Sequence, residues 1–139
     1  MTTHPNNGTN KLYAEISVLM VEDSAPQALK TKLALETIGC SVYWADNGTE
    51  GLAAALKQKF DLIVLDIELP DINGFEICKR LKANPSLATI PVVMLTTLDQ
   101  AENVMHGLDA GAIDYIPKDA FADVVLAETV KQMQLEAGR

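Results

Sequence analysis

The stretch that decides the fold is Phe60-Asp61-Leu62-Ile63-Val64-Leu65-Asp66-Ile67-Glu68-Leu69-Pro70-Asp71-Ile72-Asn73-Gly74. Its uninterrupted apolar run, Leu62 to Leu65, is typical of a strand that is buried on both faces of a parallel sheet. Asp66 follows this run directly, at the edge where open parallel α/β sheets bind their ligands. Pro70 and Gly74 then indicate a loop before the next helix. An acid in this position is expected to be a metal ligand, a nucleophile or both.

Three further segments end in polar side chains that would reach the same edge. Ile16-Ser17-Val18-Leu19-Met20-Val21-Glu22-Asp23-Ser24 is apolar until the acid pair Glu22-Asp23. Pro91-Val92-Val93-Met94-Leu95-Thr96-Thr97 ends in hydroxyls, and Ala112-Ile113-Asp114-Tyr115-Ile116-Pro117-Lys118 ends in a lysine. The carboxyl ends of parallel strands meet at one edge of the sheet, so acids, hydroxyl and amine are expected to converge there.

The chain alternates strand and helix patterns five times from Ile16 onward, which predicts a parallel sheet with helices on both faces. Short β-rich runs and the amphipathic stretches between them define the elements. The predicted strands are Ile16–Val21, Cys40–Ala45, Leu62–Leu65, Val92–Leu95 and Ala112–Ile116. The predicted helices begin near Pro26, Asn47, Gly74, Asp99 and Ala120.

Helical spacing of apolar residues predicts which face of each helix is buried. Gly39 is a plausible stop for the first helix, and Asn47 with Glu50 has the spacing of a capping box at the start of the second. The expected inward residues are Leu29, Leu33 and Ile38 in the first helix, Leu52 and Leu56 in the second, Phe75, Cys78 and Leu81 in the third, Ala101, Val104, Met105 and Leu108 in the fourth, and Phe121, Val124, Val125 and Val130 in the fifth.

Length and composition indicate one acidic domain. The chain has 139 residues, a hydrophobic content of 48% and a net charge of −8, which argues against nucleic acid or an anionic membrane as a direct partner. The polar residues 1–15 are expected to form a flexible tail and residues 16–136 the domain, with no output domain after it. Cys40 and Cys78 lack metal-ligand spacing and are expected to be buried thiols. No membrane span or signal peptide is evident, which favours the cytoplasm.

The four strand ends and the alternating pattern resemble the CheY-type receiver domain, the phosphate-accepting module of two-component response regulators. The resemblance covers about Ile16 to Leu135. It implies a flavodoxin-like (βα)5 fold, doubly wound, with a five-stranded sheet in the order 2-1-3-4-5. It also implies that Asp66 is the residue that accepts the phosphoryl group.

The resemblance further implies a divalent cation, Mg²⁺ or Mn²⁺, beside Asp66. Its ligands would be the carboxylates of Asp23 and Asp66 and the backbone carbonyl of Glu68, with Glu22 acting through a bound water. Mg²⁺ prefers such hard oxygen ligands and keeps several waters. The cation would remove the repulsion between an attacking carboxylate and the phosphoryl oxygens.

Three more residues take their expected roles from the resemblance. Lys118 would pair with Asp66 before phosphorylation and with a phosphoryl oxygen afterwards, and the Thr96 hydroxyl would donate to another phosphoryl oxygen. Thr96 would then move and let Tyr115 rotate inward. This switch would alter the surface formed by the fourth helix, the fifth strand and the fifth helix.

A receiver of this kind would take its phosphoryl group from a histidine kinase or a histidine phosphotransfer protein and bind a downstream target protein. Phosphorylation-dependent homodimers are open to it, and it would not be a turnover enzyme. A phosphatase of the haloacid-dehalogenase type would need a second Asp where Glu68 stands. A flavodoxin-like electron carrier would need a phosphate-binding loop where Glu22-Asp23-Ser24 stands. A phosphorylation-independent adaptor is the remaining alternative, and the intact acids argue against it.

The chain departs from the family pattern at two places. The family has Lys-Pro at the end of the fifth strand, whereas the order here is Pro117-Lys118-Asp119, which leaves open whether Lys118 reaches Asp66. Thr97 stands where a smaller residue is usual, and with Glu68 and Leu98 it flanks the opening to Asp66. We expect slow autodephosphorylation, and a phosphoryl lifetime that is unchanged in Thr97→Ala would contradict gating by this side chain.

Overall fold

The computed structural model describes residues 15–96, 111–119 and 121–137. Five strands form one sheet: β1 (Ser17–Val21), β2 (Ser41–Ala45), β3 (Leu62–Asp66), β4 (Val92–Thr96) and β5 (Asp114–Pro117). Four helices are described: α1 (Ala25–Thr37), α2 (Gly48–Lys57), α3 (Gly74–Ala83) and a C-terminal helix (Ala122–Ala137). The predicted fourth helix lies outside the described residues.

All the strand pairs are parallel, and the sheet has the order β2-β1-β3-β4-β5. This order confirms the flavodoxin-like doubly wound fold. β3 is the central strand, and each of its five residues is buried. Asp66, the polar residue that ends β3, therefore lies at the end of a fully buried central strand.

The sheet separates two apolar cores. Residues of α2 and α3 pack on one face, among them Ala54, Ala55 and Ile77, together with Cys78 and Leu81. The other face is covered by α1 through Leu35 and by the C-terminal helix through Ala122, Leu126 and Val130. Helices on both faces explain why β3 reads as a continuous apolar run.

Local signals place the helix ends where the sequence predicts them. The side chain of Asn47 accepts a hydrogen bond from Glu50 N at 2.9 Å at the start of α2, as its capping-box spacing indicates. Ser24 caps α1 and accepts from Gln27 N at 3.4 Å. Gly39, with φ of 94°, follows α1 in the left-handed conformation that glycine favours.

The predicted inner face of α1 is partly wrong, because Ile38 packs against the core but two leucines do not. Leu29 and Leu33 are 59% and 66% exposed, whereas Ala28, Thr31 and Leu35 are buried. Leucine hydrophobicity suggested the wrong stripe because apolar residues surround much of this helix. Thr31 faces inward because its hydroxyl donates to Asp123 Oδ1 of the C-terminal helix at 3.1 Å.

The predicted inner faces of two other helices are partly wrong. In α2, Leu52 packs against the core but Leu56 is 67% exposed, because Ala54 and Ala55 occupy the contact with the sheet. In the C-terminal helix Val130 is buried, whereas Phe121, Val124 and Val125 are exposed. The helix instead buries Ala122, Leu126 and Gln134, and the Gln134 side chain donates to Ile38 O at 2.8 Å.

The prediction for the cysteines is confirmed, since Cys40 and Cys78 are buried and form no disulfide. Burial raises the pKa of the Cys40 thiol to about 11 and also raises the pKa of Cys78. Among the helices that the structure describes, none has the length and apolar character needed to cross a membrane.

Candidate functional site at the carboxyl edge of the sheet

Polar side chains from three strand ends meet at the carboxyl edge of the sheet. Lys118, which follows β5, places its Nζ 2.8 Å from Asp66 Oδ2 at the end of β3. The same Nζ lies 3.0 Å from Glu22 Oε1, which follows β1. Lys118 thus reaches Asp66 although it follows Pro117 rather than preceding a proline. The backbone turns there, with Asp119 N donating to Pro117 O at 2.9 Å.

The acids form a compact cluster around this lysine. Glu22, Asp23 and Asp66 each offer a carboxylate oxygen, and these oxygens all lie within 4.8 Å of one another. Glu22 and Asp66 are buried, whereas Asp23 is exposed. The cluster is therefore open to solvent on the side of Asp23, whereas the other two acids are buried.

Burial dominates the electrostatics of Glu22. Desolvation, followed by the nearby charge of Asp66, raises the pKa of Glu22 to about 7. Ser24 N donates to Glu22 Oε2 at 3.1 Å. Glu22 Oε1 accepts no well-aligned hydrogen bond from the described residues, so its contact with Lys118 is an ion pair.

Lys118 is held in its charged form. Burial alone would lower the pKa of this amine, but the hydrogen bond that it donates to Asp66 and the negative charges of Asp66 and Glu22 outweigh burial and raise it. One cation therefore faces two buried carboxylates. The arrangement leaves the cluster with surplus negative charge.

The segment after β3 holds Asp66 through its backbone. Glu68 N donates to Asp66 Oδ1 at 3.2 Å, and Gly74 N donates to Ile67 O at 2.9 Å. A Cβ at Gly74 would fall 2.8 Å from the Cα of Ile67 and would collide with the Asp66 carbonyl. Glycine at this position thus lets α3 start directly against the strand that carries Asp66.

The donor set fits a divalent cation with a preference for oxygen. Three carboxylates converge, one of them exposed, and within the described part of the chain the buried Glu22 Oε1 accepts no well-aligned hydrogen bond. Mg²⁺ is bound by one or two carboxylates and keeps waters, which requires this kind of partly open site. Asp23 and Asp66, the side chains predicted as ligands, both belong to this cluster.

A family model described as "Response regulator receiver domain" matches residues 18–131. The chain belongs to this family. Receiver domains act in two-component signal transduction, a signalling role, and generally bind Mg²⁺. They interact with histidine kinases and downstream effectors. The predicted family and function are confirmed at this level.

Curated relatives of this receiver differ in length. Protein PilH of Pseudomonas aeruginosa is 35% identical over 109 residues, which cover 78% of this chain and 90% of PilH. The "Gliding motility regulatory protein" of Myxococcus xanthus is 38% identical over 85% of this chain but only 15% of its own length. The chain also spans 46% of the transcriptional regulator RpaA of Synechocystis, at 37% identity.

Solved structures agree with the receiver fold. CheY4 of Vibrio cholerae, a chemotaxis response regulator, superposes with a TM-score of 0.78 at 31% identity, over 86% of this chain and 98% of CheY4. The signal receiver domain of a histidine kinase from Syntrophus aciditrophicus gives a TM-score of 0.79 at 38% identity, over 88% and 91% of the two chains.

The two predicted switch residues are described to different extents. Thr96 ends β4 opposite Pro117 in the sheet register, but its hydroxyl lies outside the described part of the chain, as do Thr97 and Leu98. Tyr115 is half-buried, and its ring centroid lies 6.4 Å from that of Phe75 in α3, with the rings tilted by 30°. The receiver therefore has an aromatic contact between β5 and α3 that the sequence did not predict.

Two other residues near the site were missed from the sequence. Trp44 Nε1 donates to Glu22 O at 2.8 Å. Asp71 accepts from Gly48 N, Thr49 N and Ile72 N at 2.8, 2.8 and 2.9 Å. The contacts of Trp44 with Glu22, and of Asp71 with Gly48 and Thr49, join segments that are far apart in sequence. No local sequence pattern predicts these contacts. The one weak signal was the position of the single tryptophan near the carboxyl end of a strand.

Proposed function

We propose that this chain is a phospho-accepting response regulator in which Asp66 receives the phosphoryl group. The observation that carries the proposal is the direct contact of Asp66 with Lys118 at 2.8 Å, next to two further acids. A buried carboxylate that pairs with one lysine and lies beside other acids is suited to accepting a phosphoryl group next to a cation, rather than to capping a helix.

The proposed reaction is a transfer between two side chains. A carboxylate oxygen of Asp66 forms a bond to phosphorus while the phosphorus–nitrogen bond of a phosphohistidine breaks and the imidazole leaves. Lys118 is already at hydrogen-bond distance from Asp66, so its charge is available to a phosphoryl oxygen after transfer. Thr96, at the end of β4, is proposed to donate to another phosphoryl oxygen.

The acids are proposed to hold a divalent cation, Mg²⁺ or Mn²⁺. Asp23, Asp66 and the Glu68 backbone carbonyl would be its direct ligands, and Glu22 would act through a water. The bound cation would supply positive charge that offsets the repulsion between Asp66 and the phosphoryl oxygens. The chain's own contribution is to bring carboxylate oxygens of Glu22, Asp23 and Asp66 within 4.8 Å of one another.

Phosphorylation is proposed to act as a switch for binding other proteins. It would add roughly −1.5 to −2 charges at Asp66, draw Thr96 toward them and reorient Tyr115. The altered surface would comprise the predicted fourth helix, β5 and the C-terminal helix. A histidine kinase or histidine phosphotransfer protein would be the donor, and a target protein or a second copy would be the reader.

The same proposal assigns residues 16–136 to the receiver unit and residues 1–15 to a polar tail. It assigns the chain to the cytoplasm, where kinases draw on ATP. The chain would catalyse its own phosphorylation and dephosphorylation at Asp66 without turning over a separate substrate, and it would bind neither nucleic acid nor membrane directly.

The experiment is intact-mass spectrometry after incubation with acetyl phosphate and Mg²⁺. We expect one added phosphoryl group on the wild type and none on Asp66→Asn. Chelation of Mg²⁺ should abolish the adduct. Asp61→Asn is the matched control, because Asp61 flanks the opposite end of β3, where it accepts a hydrogen bond from Ser17 N at 2.8 Å; this variant should be phosphorylated like the wild type.

Fast hydrolysis could hide the adduct, so binding of beryllofluoride is measured in parallel. An adduct that persists in Asp66→Asn would contradict the assignment of the acceptor. A wild type that neither gains a phosphoryl group nor binds beryllofluoride would contradict the proposed function and favour a phosphorylation-independent adaptor.

A further inference from the structure

The acid pair that follows β1 is held by β2 through two different contacts. Glu22 N donates to Ala45 O at 3.0 Å, which extends the strand pairing of β1 with β2 by one residue. Glu22 O accepts a hydrogen bond from the indole Nε1 of Trp44 at 2.8 Å. A side chain thus supplies the donor for the carbonyl beyond the end of β1.

This carbonyl belongs to the peptide unit that joins Glu22 to Asp23. Because a peptide unit is planar, fixing its oxygen fixes the plane of the whole unit, including the nitrogen of Asp23. The directions in which both acids leave the backbone depend on that plane. Ser24 N, which donates to Glu22 Oε2 at 3.1 Å, holds the pair from its other side.

We propose that Trp44 is a positioning residue for the Glu22-Asp23 acid pair, and that its indole N–H raises the affinity of the site for a divalent cation. The inference rests on the proposed function, because it assumes that these acids serve a cation. Asp23 is exposed, so the fixed backbone, and not packing around its side chain, would limit its orientations. Outer-shell hydrogen bonds that orient ligands in this way commonly affect metal affinity.

The first test addresses the hydrogen bond itself. The chain has one tryptophan, so a ¹⁵N-labelled sample gives a single indole N–H resonance. We expect this resonance to move on titration with Mg²⁺, because the carbonyl that it binds lies in the backbone of the acid pair. An indole resonance that stays fixed while the amides of the acid pair shift would overturn the proposal.

The second test removes the donor and measures affinity. Trp44 is replaced by phenylalanine and, separately, by 3-benzothienylalanine, which keeps the bicyclic shape but carries sulfur in place of the N–H. The dissociation constant for Mg²⁺ is read from amide chemical shifts, and the midpoint of thermal unfolding is measured in EDTA. We expect both variants to bind Mg²⁺ about two- to tenfold more weakly, the range that corresponds to one hydrogen bond.

Tyr43→Phe is the matched control, since Tyr43 precedes Trp44 in β2, is 41% exposed and contacts Phe60 through its ring. It should leave the Mg²⁺ affinity unchanged. The benzothienyl variant separates positioning from packing: weaker binding with an unchanged unfolding midpoint supports the proposal. Unchanged binding in that variant would overturn it, even if the phenylalanine variant binds weakly or fails to fold.

The failures can be told apart. Wild type that does not bind Mg²⁺ at all would overturn the metal site of the proposed function and the inference with it. If the wild type and the benzothienyl variant bind Mg²⁺ with equal affinity, only the role of Trp44 is overturned. The proposed function then still stands.

Discussion

Lys118 offsets the mutual repulsion of Glu22 and Asp66, which are both buried at the carboxyl edge of the sheet. Carboxylates withdrawn from water need a cation or a proton nearby. Burial and then the charge of Asp66 raise the pKa of Glu22, and Lys118 offsets only part of this rise. The repulsion between Glu22 and Asp66 is therefore only partly neutralised by Lys118.

Replacing Lys118 with methionine is expected to destabilise the metal-free protein. Two buried carboxylates would lose their shared cation, and removing one partner of a buried pair costs about 3 kcal/mol in free energy of unfolding. Urea unfolding in EDTA measures the loss, and added Mg²⁺ should restore part of it.

Lys131→Met serves as the control for this change, because Lys131 pairs with Glu128 at 3.6 Å on an exposed stretch of the C-terminal helix. Exposed pairs of this kind contribute about 0–1 kcal/mol. Equal losses in the two lysine variants would mean that the contact with Asp66 and Glu22 adds little.

At the scale of the elements, Asp71 ties the loop after β3 to the start of α2. Its carboxylate accepts from Gly48 N, Thr49 N and the Thr49 hydroxyl, the last at 2.6 Å. These donors sit in the first turn of α2, where backbone N–H groups lack partners within the helix. The loop that leaves Asp66 is thus fastened at its far end to a neighbouring helix.

Asp71→Asn is expected to lower the unfolding midpoint at neutral pH. Hydrogen bonds, first from the Thr49 hydroxyl, hold the pKa of Asp71 well below its usual value. A lowered folded-state pKa stabilises the fold above the unfolded-state value, near 3.8, and this contribution is lost as the pH falls through the folded-state value.

The difference between wild type and Asp71→Asn should therefore narrow as the pH drops below about 3.8, when urea unfolding is followed across pH. Asp46→Asn is the control. The Asp46 carboxylate also accepts a hydrogen bond, in this case from the Asn47 side chain at 2.8 Å. A gap between wild type and Asp71→Asn that stays constant with pH would contradict a role for the charge of Asp71.

The elements also show what the sequence could and could not predict. Strand-end residues sufficed for the meeting of Glu22, Asp23, Asp66 and Lys118, because parallel strands bring their carboxyl ends together. The sheet order depended in addition on the resemblance to receiver domains. The helix faces were harder: the inward position of Thr31 depends on Asp123, which lies 92 positions away. Contacts made by single side chains across the sheet, such as that of Trp44, leave no periodic pattern.

At the scale of the whole molecule, the contact between Tyr115 and Phe75 links β5 to α3, whose first residue packs against the strand that carries Asp66. Helix α3 thus connects Tyr115 with the strand that carries Asp66.

We expect beryllofluoride to reorient Tyr115. Fluorotyrosine NMR reports this directly, because the chain has three tyrosines and Tyr115→Phe and Tyr43→Phe assign two of the resonances. The Tyr115 resonance should shift when beryllofluoride and Mg²⁺ are added, and the Tyr43 resonance should remain in place. A Tyr115 signal that is identical with and without the phosphate mimic would contradict the proposed role of Tyr115 in a switch.

The two buried thiols can serve as probes of local opening of the fold. Cys40 and Cys78 lie in the two separate cores, on opposite faces of the sheet, and burial raises the pKa of both thiols. An alkylating reagent, which attacks the thiolate, can modify each cysteine only when its own side of the fold opens. The order in which the two adducts appear would therefore reveal which face of the sheet loosens first, and whether Mg²⁺ slows one side or both.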